Sequence, residues 1–548
     1  MYYNTYMRVI ENIGMRIIEV LAGLLFTILA VAAAFVSVVR VDGYAESYSF
    51  AWDNPVINVL FAATMAAIFM LIAKWVRKDL EKRRKILLII EMTLAVLGGL
   101  AFAAVSKCFP TADQASVYYG AKHFATGWFA DLAETGSYFS VYPHQMALAL
   151  AQEIIIRIAH TDSYHVLQGV NALCNALTIW ALYSISDTLF DDKNVSIYTL
   201  LLTFFTLPLF WYTPFVYGDL ASIAFSLLGV ALLLKALMGH EQEDASKKEV
   251  APDGKTPRRW HKPALYAGSV LSLFIATLVR SNTLIFVIAV ALCLLVYIIR
   301  AKKPLLLIYI AVIAILCGTV NKGAIKFYEW RSGNEINDGM PSICHMVMGL
   351  QEGPMGNGYY NGYNFDTYVN RANYDQEKAK ELAKADFTER IDEFKADPAY
   401  TAAFFRDKFF GQWLSTDFDC YHFTCGAYYE RWPVVESLFS GTLYKVTSFY
   451  MDKYGFFVYA LTAFAVIFSL IKGFRKTEAD EKRGILCYIL LTAIIGGAIF
   501  SIIWEGAGRY VLPYFIFAIP YAGCAIWGLS PNCTSAHQLN RNRRKHEK

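Results

Sequence analysis

Residues 264–299 read ALYAGSVLSLFIATLVRSNTLIFVIAVALCLLVYII, and the only formal charge in that run is Arg280. A helix that crosses a bilayer needs about 20 mostly apolar residues. The run therefore reads as two crossings, 264–279 and 282–299, turned at the arginine. The pattern recurs on both sides of it. Segments 15–39, 56–76, 86–105, 164–189, 195–210, 219–238, 304–320, 453–472, 484–504 and 509–529 are further candidates. Segment 143–159 is weaker because it holds Glu153 and Arg157. The expected fold is an all-α polytopic membrane protein of about 12–13 transmembrane helices, with a mixed, mainly helical extracytoplasmic loop domain.

Composition agrees. The 548-residue chain is 56% hydrophobic and 18% charged, against about 25% charged residues in soluble domains. A net charge of +4 is too small to suggest nucleic-acid binding. The 15% aromatic content suits membrane interfaces and sugar-gripping surfaces. The ten cysteines form no paired zinc motif. Cys420 and Cys425 lie close together in a polar stretch, as a disulfide or as two free thiols. Residues 15–39 read as a retained first helix, not a cleaved leader.

Lys and Arg in short loops mark the cytoplasmic side. Lys74, Arg77, Lys78 and Lys82–Lys85 form the strongest cluster, and Arg258, Arg259 and Lys262 a second. Arg300, Lys302, Lys303, then Lys472, Arg475, Lys476, Lys482 and Arg483, and the tail from Arg541 add three more. With these inside, 106–142, 211–218, 280–281, 321–452 and 505–508 lie outside. An even number of crossings must then separate 142 from 211, yet three apolar segments lie between. Either 143–159 does not span or another segment is broken. The expected organisation is 1–85, N-terminal helices and a basic loop; 86–320, a membrane core; 321–452, the extracytoplasmic domain; 453–530, C-terminal helices; and 531–548, a basic cytoplasmic tail.

The chain has no G-x-x-x-x-G-K-[ST] loop and no H-E-x-x-H helix, which removes support for ATP-driven transport and zinc proteolysis. Asp113, in FPTADQASVYYGA, is placed to be a general base or a helix-start acid. Tyr142, Pro143, His144 and Gln145 open an apolar run at an interface and suit a sugar or phosphate. Asp219 opens a span, where an acid is costly. Arg280 and Arg509 lie on the outer side, against the positive-inside preference, so an anion should hold them there. A phosphate suits the guanidinium fork; a lipid headgroup or carboxylate is the alternative for Arg280, and a Glu505–Arg509 ion pair for Arg509, beside Tyr510. Asp417 and Asp419 form a D-x-D with His422 nearby, the one weak signal for a divalent metal. No cofactor is otherwise implied.

Taken in order, these elements resemble the GT-C glycosyltransferases, in particular the protein O-mannosyltransferase and aminoarabinose transferase group. The resemblance covers about residues 100–515 and rests on Asp113 in the first large outer loop, YPHQ at 142–145, Asp219 at a helix start, TLVRSN around Arg280 and GAGRY around Arg509. Two helices, 15–39 and 56–76, precede the family's usual first helix, and Gln114 stands where many members carry a second acid. The resemblance implies a plasma-membrane enzyme working on its extracytoplasmic face. It would move a sugar from a polyprenyl-phosphate donor, held among membrane lipid, to an unspecified acceptor. Asp113 and Asp219 would be catalytic, and Tyr142, His144, Gln145, Arg280, Glu505, Arg509 and Tyr510 would bind substrate. A transporter or flippase, or a polymerase, for lipid-linked saccharides is the competing reading; the internal repeats usual in transporters are not evident.

Overall fold

The computed structural model describes residues 2–190, 192–246, 261–427, 429–472 and 484–530. Arg258, Arg259, Arg475, Lys476, Lys482, Arg483 and the tail 531–548 lie outside the described residues. The chain is an all-α polytopic membrane protein. Among the described residues, ten helical stretches are long and apolar enough to cross a membrane, by length and composition.

The membrane elements in chain order are α1 (Tyr2–Phe35), α2 (Pro55–Val76) and α3 (Leu80–Ser106), with a two-stranded antiparallel hairpin, β1 (Val36–Val39) and β2 (Ser49–Trp52), between the first two. Then come α4 (Ala112–Thr126), α5 (Met146–Ala159), α6 (Tyr164–Leu189), α7 (Lys193–Phe204), α8 (Leu207–Trp211) and α9 (Asp219–Ser246). The series continues with α10 (His261–Val279), α11 (Leu284–Ala301) and α12 (Leu306–Ser332). Helices α13 (Gln376–Ala396), α14 (Pro398–Trp413) and α15 (Cys420–Thr424) belong to the large loop region, and α16 (Thr442–Lys472), α17 (Ile489–Ile503) and α18 (Leu512–Leu529) complete the chain.

Side-chain pairing sorts the helix ends into two faces. On one, here the basic face, Arg84 pairs with Asp187, Lys193 with Glu81, and Arg300 with Glu11. On the other, Gln114 bonds Tyr164, Lys453 pairs with Asp53, and Arg431 reaches the carbonyl of Ser106. The stretch Pro55–Ser106 is thus two crossings, because Asp53, just before it, and Ser106, its last residue, both lie on this second face. Helix α6 runs from Tyr164 on the second face to Asp187 on the basic face. The chain returns through α7 and α8, which together form one crossing broken between Phe204 and Leu207, where Pro208 opens the second piece.

This settles the crossing count. Helix α5 is only 14 residues long, and its Glu153 meets Arg157, Arg331 and Tyr328. Arg331 closes α12 on the second face and also bonds the carbonyl of Phe124 in α4. Helix α5 therefore lies along that face and does not cross. Three expected boundaries also move. The first helix stops at Phe35, because Val36–Val39 pairs with Ser49–Trp52 as a β-ribbon. Helix α12 continues to Ser332, and α16 starts already at Thr442, so both extend beyond the bilayer-length runs read from hydropathy.

Within the bundle, close approach depends on small residues. Gly229 of α9 meets α10 so tightly that a Cβ would lie 2.9 Å from Leu273, and the hydroxyl of Ser269 donates to the Gly229 carbonyl at 2.6 Å. Ser269 also bonds Tyr309 of α12 at 2.7 Å, which ties three spans together.

Candidate active site

The second face carries a concave site where the ends of α9, α10, α17 and α18 meet α4 and the 142–145 turn. Its geometry starts at Gly218. This residue holds φ +86°, and a Cβ there would collide with the carbonyl of Val279. A side chain would therefore push the mouth of α9 away from the end of α10. With glycine, the two ends touch, and Asp219 on one meets Arg280 on the other at 3.2 Å. Arg280 interrupts the α10–α11 run in extended backbone and also donates to the carbonyl of Tyr217 at 3.3 Å. Asp219 is buried. The neighbouring carboxylate, one of the alternatives open for Arg280, is in place.

Arg509 is held differently. No carboxylate lies within ion-pair distance of it among the described residues, and Glu505 does not pair with it; Glu505 stands 4.0 Å from His345, whose imidazole burial pushes down to about 4 and so keeps neutral. The guanidinium instead lies over the rings of Phe423 (4.4 Å), Tyr510 (5.1 Å), Tyr217 (5.2 Å) and Phe215 (6.0 Å). Its Nε is buried without a hydrogen-bond partner. Aromatic faces attract the cation and strip its water but offer no acceptor for most of its donors. Among the described residues the guanidinium donates to the Tyr510 hydroxyl, at 3.4 Å, and has no carboxylate partner.

Tyr217 joins the two halves. Its ring lies under both arginines, its hydroxyl donates to Asp113 at 3.4 Å, and it accepts from Gln145 at 2.9 Å. Asp113 stands in the first turn of α4, yet Thr111 caps that helix without a side-chain hydrogen bond. The carboxylate therefore faces Tyr217 and does not serve as the cap. Asp113 and His144 are exposed side chains set among protein walls that partly desolvate them. That desolvation raises the Asp113 carboxyl pKa, against the pull of Arg509, and pushes the His144 imidazole down to about 4. His144 is thus neutral near pH 7. Tyr142 packs against Tyr138 and His345. Burial pushes the Glu505 carboxyl up to about 7, with Arg509 pulling it back and Asp113 adding to the rise.

Between the arginines and the bundle interior runs a narrow cleft of about 40 Å³. Its mouth carries Arg280, Glu505, Arg509 and Tyr510; its depth is walled by Ile223, Phe286, Phe500 and Phe517. Ser222, Ser501 and Gln412 add polar atoms, and the Gln412 carbonyl oxygen is buried without a partner.

The D-x-D does not offer a cation site. Asp417 and Asp419 both bind Arg40 of the N-terminal hairpin, with Ser415 donating to Asp417. Among the described residues no group of three or more His, Cys, Asp or Glu is arranged to hold a metal. The Asp417 and Asp419 carboxylates accept from the Arg40 guanidinium, whose charge occupies the place a divalent ion would take. Cys420 and Cys425 are free thiols.

Every site residue read from the sequence falls on this face, with Asp219 behind Arg280. Sequence reading missed Tyr217, His345, Gln412 and Arg40. Tyr217 stands only two residues before Asp219, in VYGD, and was within reach of the same motif. The other three are brought in by contacts between distant parts of the chain.

No family model and no curated relative matches the chain. Among solved structures it is similar to the oligosaccharyltransferase AglB of Archaeoglobus fulgidus in complex with an inhibitory peptide and a dolichol-phosphate, at 13% identity and a TM-score of 0.40, over 86% of this chain and 52% of that one. It is also similar to the Archaeoglobus fulgidus oligosaccharyltransferase in its apo form, at 13% identity and a TM-score of 0.36, over 79% of this chain and 50% of that one. The chain spans about half the length of the solved structures it matches.

Proposed function

We propose that this chain is a GT-C-type membrane glycosyltransferase. It moves a sugar from a polyprenyl-phosphate donor to an acceptor hydroxyl at the extracytoplasmic face of the plasma membrane. The observation that carries this reading is the convergence, at Tyr217, of a carboxylate and a carboxylate-free guanidinium beside an apolar cleft. The mouth of the cleft suits a phosphate, and the apolar side chains beneath it suit contact with the attached lipid chain. Arg509, with Arg280 and Tyr510, would stabilise the charge that grows on the leaving phosphate. Asp113, with its raised pKa, would accept the proton of the acceptor hydroxyl as that oxygen bonds the sugar's anomeric carbon. The bond from that carbon to the phosphate oxygen breaks, and its electron pair leaves with the polyprenyl phosphate. Tyr142, His144 and Gln145 line the acceptor side. Asp219 serves by fixing Arg280, and the region between α12 and α16 shapes the acceptor entrance.

The test is Asp113→Asn in the purified full-length protein, with a defined polyprenyl-phosphate sugar. The amide keeps the shape but cannot take the proton, so turnover should fall by about 10²–10⁴-fold, with donor affinity nearly unchanged. Turnover close to wild type would remove Asp113 from the reaction.

A further inference from the structure

The first two membrane helices, α1 and α2, are joined by the β1–β2 hairpin, and this hairpin reaches the site through one residue. Arg40 follows β1. Its guanidinium is buried and spans both acids of the D-x-D, binding Asp417 at 2.6 Å, Asp419, and the hydroxyl of Ser415 at 3.0 Å. Asp419 uses its other oxygen to accept the backbone N–H of Arg509 at 3.2 Å. Gly508 lies flat on the same carboxylate; a Cβ there would be 2.9 Å from Asp419 Oδ1. Asp419 also opens α15, and its carbonyl accepts the N–H of Phe423, whose ring is the closest to the Arg509 guanidinium. The Asp419 backbone is in the left-handed region, φ +60°, an unfavourable place for a residue with a side chain. Arg40 thus fixes a strained aspartate that grips Arg509 twice, at its backbone and through the ring beneath its side chain.

We infer that Arg40 is a positioning residue for Arg509: the N-terminal hairpin holds the phosphate-binding guanidinium in register by way of Asp419. Arg280 stands outside this linkage, since Asp219 and the Tyr217 carbonyl hold it. The inference rests on Arg509 as the phosphate ligand, so its test must separate the two ideas.

A double-mutant cycle does so, with affinity for a polyprenyl-phosphate sugar measured on the full-length protein in lipid nanodiscs and thermal midpoints recorded alongside. Arg40→Gln should weaken binding about tenfold, the cost of one misplaced charge-assisted contact. In an Arg509→Ala background the same change should cost less than about twofold, while in an Arg280→Ala background it should still cost about tenfold. A purely structural role would lower the thermal midpoint and cost the same in both backgrounds, which overturns the inference. Arg40→Lys is the second variant for the cycle should Arg40→Gln not fold. It keeps the charge but cannot span two carboxylates, and it should show the same coupling to Arg509. If wild-type protein does not bind the lipid, or Arg509→Ala binds it normally, the phosphate-site reading itself fails. Normal Arg509 dependence with no Arg40–Arg509 coupling overturns the positioning role alone.

Discussion

The two arginines of the site face are alike in sequence and opposite in structure. Arg280 and Arg509 each break or border an apolar run on the same side of the bundle. Arg280 is neutralised by Asp219 at 3.2 Å, a partner brought to it by the glycine turn at 218. Arg509 has rings around it and no carboxylate within ion-pair distance among the described residues. A charge held by a buried counter-ion mainly maintains structure; one held by aromatic faces keeps its donors for a ligand. In the proposed reaction both would face the phosphate, Arg280 with its charge already partly met by Asp219 and Arg509 with no carboxylate beside it.

The contrast breaks most clearly on stability. Arg280→Ala leaves Asp219 buried and unpaired, which should cost about 3–5 kcal/mol of folding stability. Arg509→Ala strands no carboxylate and should lower stability by about 2 kcal/mol, the scale of a desolvated cation–ring contact. Thermal or denaturant unfolding of both variants in the same detergent measures the difference. Equal losses would erase the division of roles.

A smaller effect concerns pH. Glu505 lines the mouth beside Arg509, and burial raises its carboxyl pKa to about 7. Below that value it is protonated and leaves the guanidinium charge unopposed. As pH rises through about 7 the carboxylate forms and competes with the donor phosphate. Affinity for a polyprenyl-phosphate sugar, whose phosphodiester does not titrate there, should fall roughly threefold to tenfold between pH 6 and 8. Glu505→Gln should flatten the profile at its low-pH level. The sign for folding is the same: a carboxyl whose folded-state pKa is raised contributes stability below its unfolded value near 4.5, and that contribution is lost as pH climbs through about 7. A profile unchanged by Glu505→Gln would place the titrating group elsewhere.

What the sequence revealed follows the range of the forces involved. Helix spans are local, because twenty apolar residues declare themselves in one window, and so were the two arginines that interrupt them. Helix α5 was ambiguous for a physical reason: its apolar face packs under α4, while Glu153 meets Arg331 from 178 residues away. Hydropathy alone does not distinguish lying along a face from crossing. The Arg40–Asp419 pair spans 379 residues, and its D-x-D reads as a metal motif until the arginine is in place. The β-ribbon at 36–39 continues the apolar run of α1 without a break in composition, so the first helix was drawn to residue 39.

The central claim is that a polyprenyl phosphate lies in the cleft with its phosphate at Arg509. A polyprenyl phosphate carrying a photoreactive group on its first isoprene unit tests this most directly, after irradiation of the full-length protein in nanodiscs and peptide mapping. The predicted result is labelling at Phe286, Phe500 or Phe517, the apolar wall just beneath the arginines, lost on addition of excess unlabelled lipid and reduced in Arg509→Ala. Labelling confined to outward-facing surfaces such as Ile13, Ile17 and Leu21 of α1, or labelling that unlabelled lipid does not displace, would contradict it.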